Sequence, residues 1–118
     1  MSYYNHSPNL TTIMQTLKNH VTLIGSLSSN PEITNFENGR KVVRFRLATN
    51  RYTMKDKKAR VEWHRVFAWG NIAQFIESHA RIGKELAIHG RLVNRTYLSK
   101  DGRERQITEV EVKHVIGL

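Results

Sequence analysis

The chain has 118 residues, the size of one ordinary domain, and 39% of them are hydrophobic, enough for a single core. It contains no cysteine, which excludes disulfides, thiolate metal sites and a cysteine nucleophile. No apolar run approaches the roughly 20 residues of a membrane span, and the N-terminus lacks the pattern of a targeting signal. The formal net charge of +9 indicates an anionic partner.

Residues 1–17 are polar and are predicted to form a flexible N-terminal arm before a single domain over 18–118. Beyond the arm, five segments alternate apolar and polar residues with the two-residue period of β-strands. Gly25, inside the first segment, predicts a bulge or bend. Asn38-Gly39 and Asp101-Gly102 are typical of hairpin turns. The predicted strands cover 19–27, 41–49, 61–69, 84–93 and 105–115.

A short amphipathic helix is predicted over 72–82, between the third and fourth strands. Asn71 fits the N-cap of this helix, and Gly83 fits its C-terminal stop. Five strands with one helix inserted between strands 3 and 4 predict an all-β, five-stranded barrel of the OB type. An open antiparallel sheet with the helix on one side is the alternative architecture.

Positive charge is concentrated in one stretch of the chain. Residues 40–60 hold nine basic residues and one acidic residue, whereas the basic and acidic residues elsewhere nearly balance. Concentrated charge attracts a polyanion, although a solvated basic loop has the same composition. Because the stretch belongs partly to a patterned strand, we favour a binding role. The predicted phosphate contacts are Arg44, Arg46, Lys55, Lys57, Lys58, Arg60, Arg65 and Arg95.

The strand over 61–69 has two contrasting faces. One face carries small aliphatic residues, and the other carries Arg65 among three large aromatic residues. Small aliphatic residues suit the interior of a small barrel, so we expect the aromatic face to point outward. The opposite orientation fits the alternation equally well, but basic residues on the preceding strand favour the outward one. Unpaired bases stack on aromatic rings while cations bind phosphates, a combination that selects single strands. The predicted stacking residues are Trp63, Trp69, Tyr97, Tyr52 and Phe67.

Several segments together resemble the bacterial and mitochondrial single-stranded DNA-binding proteins. They are NHVTLIGSLSSNPE at 19–32, FRLATN at 45–50, EWHRVFAWG at 62–70, KELAIHGRL at 84–92 and RTYLSKDG at 95–102. The resemblance implies an OB fold that forms a homotetramer, as a dimer of dimers. It also implies sequence-independent binding of single-stranded DNA during replication, recombination and repair, in the bacterial cytoplasm at the nucleoid.

The resemblance assigns roles to individual residues. Trp63 and Trp69 match stacking aromatics of the family, and Tyr97 stands where the family often has tryptophan. Bacterial members usually carry a tail with an acidic, apolar tip that recruits replication and repair proteins. The sequence ends at Leu118, directly after the last predicted strand, so either the tail was removed or this is a tailless variant, and recruitment through such a tip cannot be claimed for this chain. The implied subunit-interface residues are His64 and Asn19.

Catalysis finds little support in the sequence. The six histidines lack a metal-binding spacing such as His-Glu-x-x-His, and there is no glycine-rich phosphate loop. Glu62 and His64 share a strand face, but no nucleophile lies near them in the sequence. We therefore expect no catalytic residue, metal or cofactor.

Two other binding functions fit an OB barrel. A primosome-type adaptor joins proteins and has no need to display two indoles, so Trp63 and Trp69 favour a protein that coats DNA. The second of these functions is RNA binding by an OB domain of the kind found in translation proteins. Because no feature of the sequence reads a 2′-hydroxyl, the preference for DNA over RNA comes from the family resemblance alone.

Overall fold

The structure, a computed structural model, describes residues 18–55 and 57–118. The predicted arm over 1–17 lies outside the described residues. A helix, α1 (Gly70–His79), connects the fourth and fifth strands in chain order. The strands are β1 (Val21–Leu27), β2 (Glu32–Asn35), β3 (Lys41–Thr53), β4 (Lys58–Trp69), β5 (Glu85–Leu98) and β6 (Glu104–Gly117).

Five of these strands close into a barrel. The sheet order is β1-β5-β6-β4-β3-β2, and β1 also pairs with β3 at Ser26 and Ala48. The ladder between β4 and β6 is parallel, whereas the other ladders are antiparallel. The predicted OB-type barrel is therefore confirmed. The open-sheet alternative is wrong because β1 hydrogen-bonds to a strand on each side.

Alternation along β3 and β4 determines which residues form the core. Val43, Phe45 and Leu47 of β3 point inward and are almost completely buried, as are Val66 and Ala68 of β4. Each large aliphatic or aromatic side chain buried in this way stabilises the fold by about 1.5–3 kcal/mol. The expectation that the small aliphatic residues of the 61–69 strand face the interior is confirmed.

The hairpin formed by β3 and β4 is longer than the sequence predicts. The basic composition of residues 51–60 predicts a loop or ribbon, but pairing continues through Arg51 and Arg60 to Thr53 and Lys58. Strand β2 is not predicted by the sequence, because its four residues pair with β3 alone and are too few to show a clear alternation. The hairpin signals are confirmed, and Gly39 and Gly102 both adopt positive φ angles.

The predicted helix start is wrong by about two residues. Helix α1 begins at Gly70, and Trp69 is its N-cap, with no side-chain capping hydrogen bond. Asn71 lies inside the first turn. The strand therefore continues directly into the helix, and the start is stabilised by packing of the apolar face, where Ala73 and Ile76 are buried.

The predicted helix end is also wrong. Helix α1 ends at His79, and the backbone N–H of Ala80 donates to Ile76. Gly83 has a φ of 88° but lies in the following loop, where its N–H donates to the carbonyl of Leu27 at 2.8 Å. A tertiary hydrogen bond to β1 thus uses the glycine that resembled a helix stop. In the part of the chain that the structure describes, no helix is long and apolar enough to cross a lipid bilayer.

Two glycines allow the backbones of neighbouring strands to approach closely. A Cβ atom at Gly25 would clash with the carbonyl oxygen of Ala48, where β1 meets β3. The register shift lies elsewhere, opposite His89 and Gly90 of β5, where β6 has one extra residue, Lys113. A Cβ atom at Gly90 would clash with the carbonyl oxygen of Glu111. Both positions therefore require glycine.

Candidate nucleic-acid interface

One exterior face of the barrel brings together one predicted stacking residue and four predicted phosphate contacts. Residues that are paired in an antiparallel ladder project to the same side of the sheet. Arg46 is paired with Arg65, and Ala48 with Trp63, so β3 and β4 present these side chains together on the exterior. Arg95 of β5 approaches the same face, because its guanidinium pairs with Glu109, which lines a groove together with Arg46, Trp63 and Arg65.

A groove of about 770 Å³ runs along this face. It brings together one predicted stacking residue and four predicted phosphate contacts, which come from β3, β4 and β5. Four arginines face two glutamates, so the lining is positive overall. The lining residues are Ser28, Ser29, Glu32, Arg44, Phe45, Arg46, Trp63, Arg65, Val66, Arg95 and Glu109.

Trp63 presents its indole to solvent in this groove. The residue is 62% exposed, although large apolar side chains are normally buried. An exposed indole beside cationic side chains offers a flat surface on which an unpaired base can stack. The structure therefore places Trp63 as the sequence predicted, outside the core.

Arg46 and Arg65 are directly opposite each other on β3 and β4. Like charges at paired positions destabilise a sheet. Among the described residues, neither side chain forms an ion pair. The positive charge of this pair is therefore available to a phosphate entering the groove.

The floor of the groove contains an acidic residue that sequence reasoning missed. Glu109 of β6 is 5% exposed, and one carboxylate oxygen accepts a hydrogen bond from Arg44 Nη1 at 2.6 Å. The other oxygen lies 3.2 Å from Arg95 Nε. The alternation of β6 could have placed Glu109 on the exterior face. Its contacts with Arg44 and Arg95 depend on the curvature of the barrel, which cannot be predicted from a sequence pattern.

Phe67 and Trp69 are placed differently from Trp63. The predicted exposure of Phe67 is wrong: the residue is 8% exposed, and the Arg44 guanidinium lies 5.3 Å from the centre of its ring. Trp69 is half-buried outside the groove lining, with the Arg40 guanidinium 4.4 Å from its ring centre and Phe36 beside it. Stacking on these two rings stays a prediction, and it would require their neighbours to move.

The two predicted tyrosines are exposed but do not line the groove. Tyr97 of β5 is 45% exposed, and alternation puts it on the same side of the strand as Arg95. Tyr52 of β3 is 59% exposed, and alternation puts it on the same side as Arg46. Both rings could therefore extend a stacking path away from Trp63.

The remaining basic candidates lie near the end of the β3–β4 hairpin. All of them are exposed and lie outside the groove lining. Lys57 has a φ of 52°, as turn residues can. The distal end of the hairpin is therefore a positively charged extension of the barrel. The residues concerned are Lys55, Lys57, Lys58 and Arg60.

The two predicted interface residues form hydrogen bonds within the chain. His64 Nε2 lies 2.8 Å from the hydroxyl of Thr49, so the ring joins β4 to β3. The Asn19 side chain donates to the carbonyl of Leu92 at 2.9 Å and accepts from its N–H at 2.7 Å. These contacts account for both residues within one subunit, and their interface role stays a prediction.

A second polar cluster lies on another part of the barrel exterior. Nδ1 of His89 and Nδ1 of His114 are 3.0 Å apart, and the His20 ring meets the His89 ring edge-on with 4.5 Å between centroids. Burial lowers the pKa of His89, and the neighbouring His20 and His114 lower it further. Within residues 18–55 and 57–118, no group of three or more metal-ligating side chains is arranged to hold an ion.

The chain is similar to known proteins along most of its length. A family model described as "Single-strand binding protein family" matches residues 18–118, which include the whole barrel and groove. Among solved structures, the chain is similar to one described as "Plasmodium falciparum SSB complex with ssDNA". The sequence identity is 30%, the TM-score is 0.76, and the match covers 85% of this chain and 94% of that chain.

Proposed function

The chain belongs to the single-strand binding protein family, and we propose that it binds single-stranded DNA in the groove that contains Trp63. The observation that carries this proposal is an exposed indole beside Arg46 and Arg65, which form no ion pair with any described residue. Duplex DNA hides the faces of its bases, so among nucleic acids an exposed ring of this kind stacks on unpaired bases. The structural neighbour is itself described as a complex with single-stranded DNA.

The proposed mechanism separates base contacts from phosphate contacts. Bases stack on Trp63, and the strand extends toward Tyr97 or Tyr52, while the groove arginines and the hairpin lysines bind phosphates. Stacking accepts every base because every base has a flat π-face. The groove arginines bind phosphates, which are the same in every nucleotide, and do not need to contact base edges. Binding is therefore expected to show little sequence preference.

The biological role that fits this mechanism is coating and protecting DNA strands exposed during replication, recombination and repair. Such a protein works by occupancy and requires no chemistry at the groove. The family is one of binding proteins rather than enzymes. The proposed place of action is the bacterial nucleoid, where exposed single strands arise.

We also propose assembly into a homotetramer, as a dimer of dimers. Within the described residues, β1 pairs with β3 only near its C-terminal end, so Val21–Ile24 leave one strand edge open. Open edges favour pairing with another strand. Ile24, Ala87 and Ile116 are aligned across β1, β5 and β6, and both isoleucines are 59% exposed. This row, the Ile24–Ile116 face, is an apolar surface suited to a second copy of the chain.

Titration of tryptophan fluorescence with oligo-dT tests the binding proposal. Stacking on Trp63 should quench the emission strongly, whereas duplex DNA of equal length should quench it far less. Trp63→Phe should remove most of the quenching, and Trp69→Phe should remove less of it, because Arg40 and Phe36 already contact that ring. Unchanged emission of the wild-type protein at saturating oligo-dT would overturn the proposed function.

A further inference from the structure

We propose that Glu109 is a positioning residue for single-strand binding: its buried carboxylate holds the Arg44 and Arg95 guanidiniums ready for phosphates. This inference rests on the proposed function. Glu109 is enclosed, with a side chain only 6% exposed, so a phosphate meets the arginines and not the acid. Glu109 therefore acts through its two partners.

The geometry links strands that are not neighbours. Glu109 lies on β6, Arg95 on the adjacent β5, and Arg44 on β3, beyond β4 in the sheet order. Each carboxylate oxygen binds a different arginine, at 2.6 Å for Arg44 and 3.2 Å for Arg95. One carboxylate thus fixes the relative positions of two guanidiniums across the groove. Arg44 is held further by its contact with the Phe67 ring.

Both arginines keep the capacity to bind DNA. A guanidinium has five N–H donors, and the contact with Glu109 involves a single nitrogen of each arginine. The side chains of Arg44 and Arg95 are 40% and 51% exposed. Two positive charges against one negative charge leave the cluster with a net charge of +1. The ion pairs therefore restrict the motion of the arginines without consuming their charge.

Positioning and simple charge balance make opposite predictions. A glutamate in a groove for a polyanion repels the ligand, so its removal should strengthen binding if charge alone matters. If Glu109 orders the arginines, its removal leaves them mobile, and binding must then supply the entropy cost of ordering them. The direction of the change in affinity decides between the two.

The decisive experiment compares Glu109→Gln with Glu111→Gln by oligo-dT titration of the full chain. Glu111 is a matched control because it lies two residues along the same strand and is 14% exposed. It binds Arg91 and Lys113 and does not line the groove. We expect Glu109→Gln to weaken binding about three- to tenfold, the effect of releasing one or two ordered side chains. Glu111→Gln should bind as the wild type does or slightly more tightly.

A double-mutant cycle separates positioning from a general structural effect. Arg95→Gln should weaken binding in the wild-type background and should cost clearly less in the Glu109→Gln background. If Glu109→Gln fails to fold, Glu109→Asp replaces it: the shorter carboxylate keeps the charge but reaches the two arginines less well. Its thermal unfolding is checked first, and binding weaker than wild type is expected.

Wild-type or tighter binding by Glu109→Gln, or an equal cost of Arg95→Gln in both backgrounds, would overturn the positioning role. Those results leave the proposed function intact, since the wild-type protein still binds oligo-dT. Loss of the function itself would appear as absent quenching in the wild-type protein.

Discussion

Trp63 keeps most of its indole in water, although burying a side chain of this size would stabilise the fold by about 1.5–3 kcal/mol. Phe67, farther along β4, is buried beneath Arg44. Because the two positions are an even number of residues apart, they belong to the same strand face. That face therefore contains a ring available to a ligand and a ring used for packing. Substitutions at the two positions should have different consequences.

Trp63→Ala should cost about 1–3 kcal/mol of affinity for single-stranded DNA, the usual contribution of one stacked base. Its free energy of unfolding should change little, because the side chain is already exposed. The control Phe67→Ala should lose about 3–5 kcal/mol of unfolding free energy, as buried aromatic residues do. Anisotropy of labelled oligo-dT and chemical denaturation give the two values. Wild-type affinity in Trp63→Ala would contradict the stacking role.

His89 should make folding stability depend on pH. Its pKa is lowered in the folded state by burial first, and then by His20 and His114. As the pH falls from about 6.5 toward this lowered pKa, the unfolded chain binds a proton that the folded chain does not bind. The free energy of unfolding is therefore unaffected by His89 above about pH 6.5, and it falls as the pH drops from there through the lowered pKa.

Thermal unfolding at about pH 7.5 and about pH 5.5 tests this expectation. The wild-type protein should be less stable at the lower pH, and His89→Gln should reduce the difference. The reduction should be small because solvent screens the partly exposed rings. His114→Gln should act in the same direction, since it removes one neighbour that lowers the pKa of His89. An identical pH dependence in His89→Gln and the wild type would exclude His89 as a source.

At the scale of elements, the β3–β4 hairpin combines two functions in one continuous ladder. Its base contributes core residues and groove arginines, and its distal part carries exposed lysines away from the barrel. Because the pairing is unbroken from Val42 to Thr53, the distal charges are attached to the groove by regular β-structure. The distal part of the hairpin can therefore contact the phosphates of a DNA strand where that strand leaves the groove.

Replacing the three hairpin lysines by glutamine should reduce the salt dependence of binding. For single strands, the slope of log K against log salt concentration becomes shallower by about 0.7 for each phosphate that the variant no longer neutralises. Stability should not change, because all three side chains are exposed. A variant with Lys18→Gln, Lys84→Gln and Lys113→Gln, all outside the groove, controls for the loss of three positive charges. An unchanged slope would show that the hairpin does not bind phosphates. The hairpin residues replaced are Lys55, Lys57 and Lys58.

At the scale of the whole molecule, the barrel exterior has two regions that differ in charge and polarity. The groove is charged and contains an exposed indole, whereas the Ile24–Ile116 face is apolar and adjoins an open edge of β1. We therefore propose that DNA binding and self-association use separate surfaces. Several subunits on one strand would raise avidity without any new contact within a subunit.

Light scattering of the purified chain should report a mass near four times the 13.7 kDa of one chain. Ile24→Glu puts a charge on the Ile24–Ile116 face and should lower that mass, because burying an unpaired carboxylate is costly. Ile82→Glu is a matched control, since Ile82 is 61% exposed but lies in the loop after α1. A single 13.7 kDa species for the wild-type protein would remove the tetramer proposal.

The sequence by itself determined the five strands of the barrel, though not β2, and the concentration of charge, because a period of two residues reports directly which side chains share a face. Alternation along 61–69 left two orientations open, and the basic residues of the preceding strand favoured the one with Val66 and Ala68 inside; the structure confirmed it, with Trp63 outside. The family resemblance connected that surface to single-stranded DNA.

Only the tertiary structure decided which exterior residues meet. The closed barrel brings Arg44 and Arg95 to Glu109 from strands far apart in sequence, covers Phe67 with Arg44, and covers Trp69 with Arg40. It also uses Gly83 in a hydrogen bond to β1 instead of a helix stop. These contacts depend on strand order, curvature and closure, which arise from long-range pairing and leave no periodic signal in the sequence.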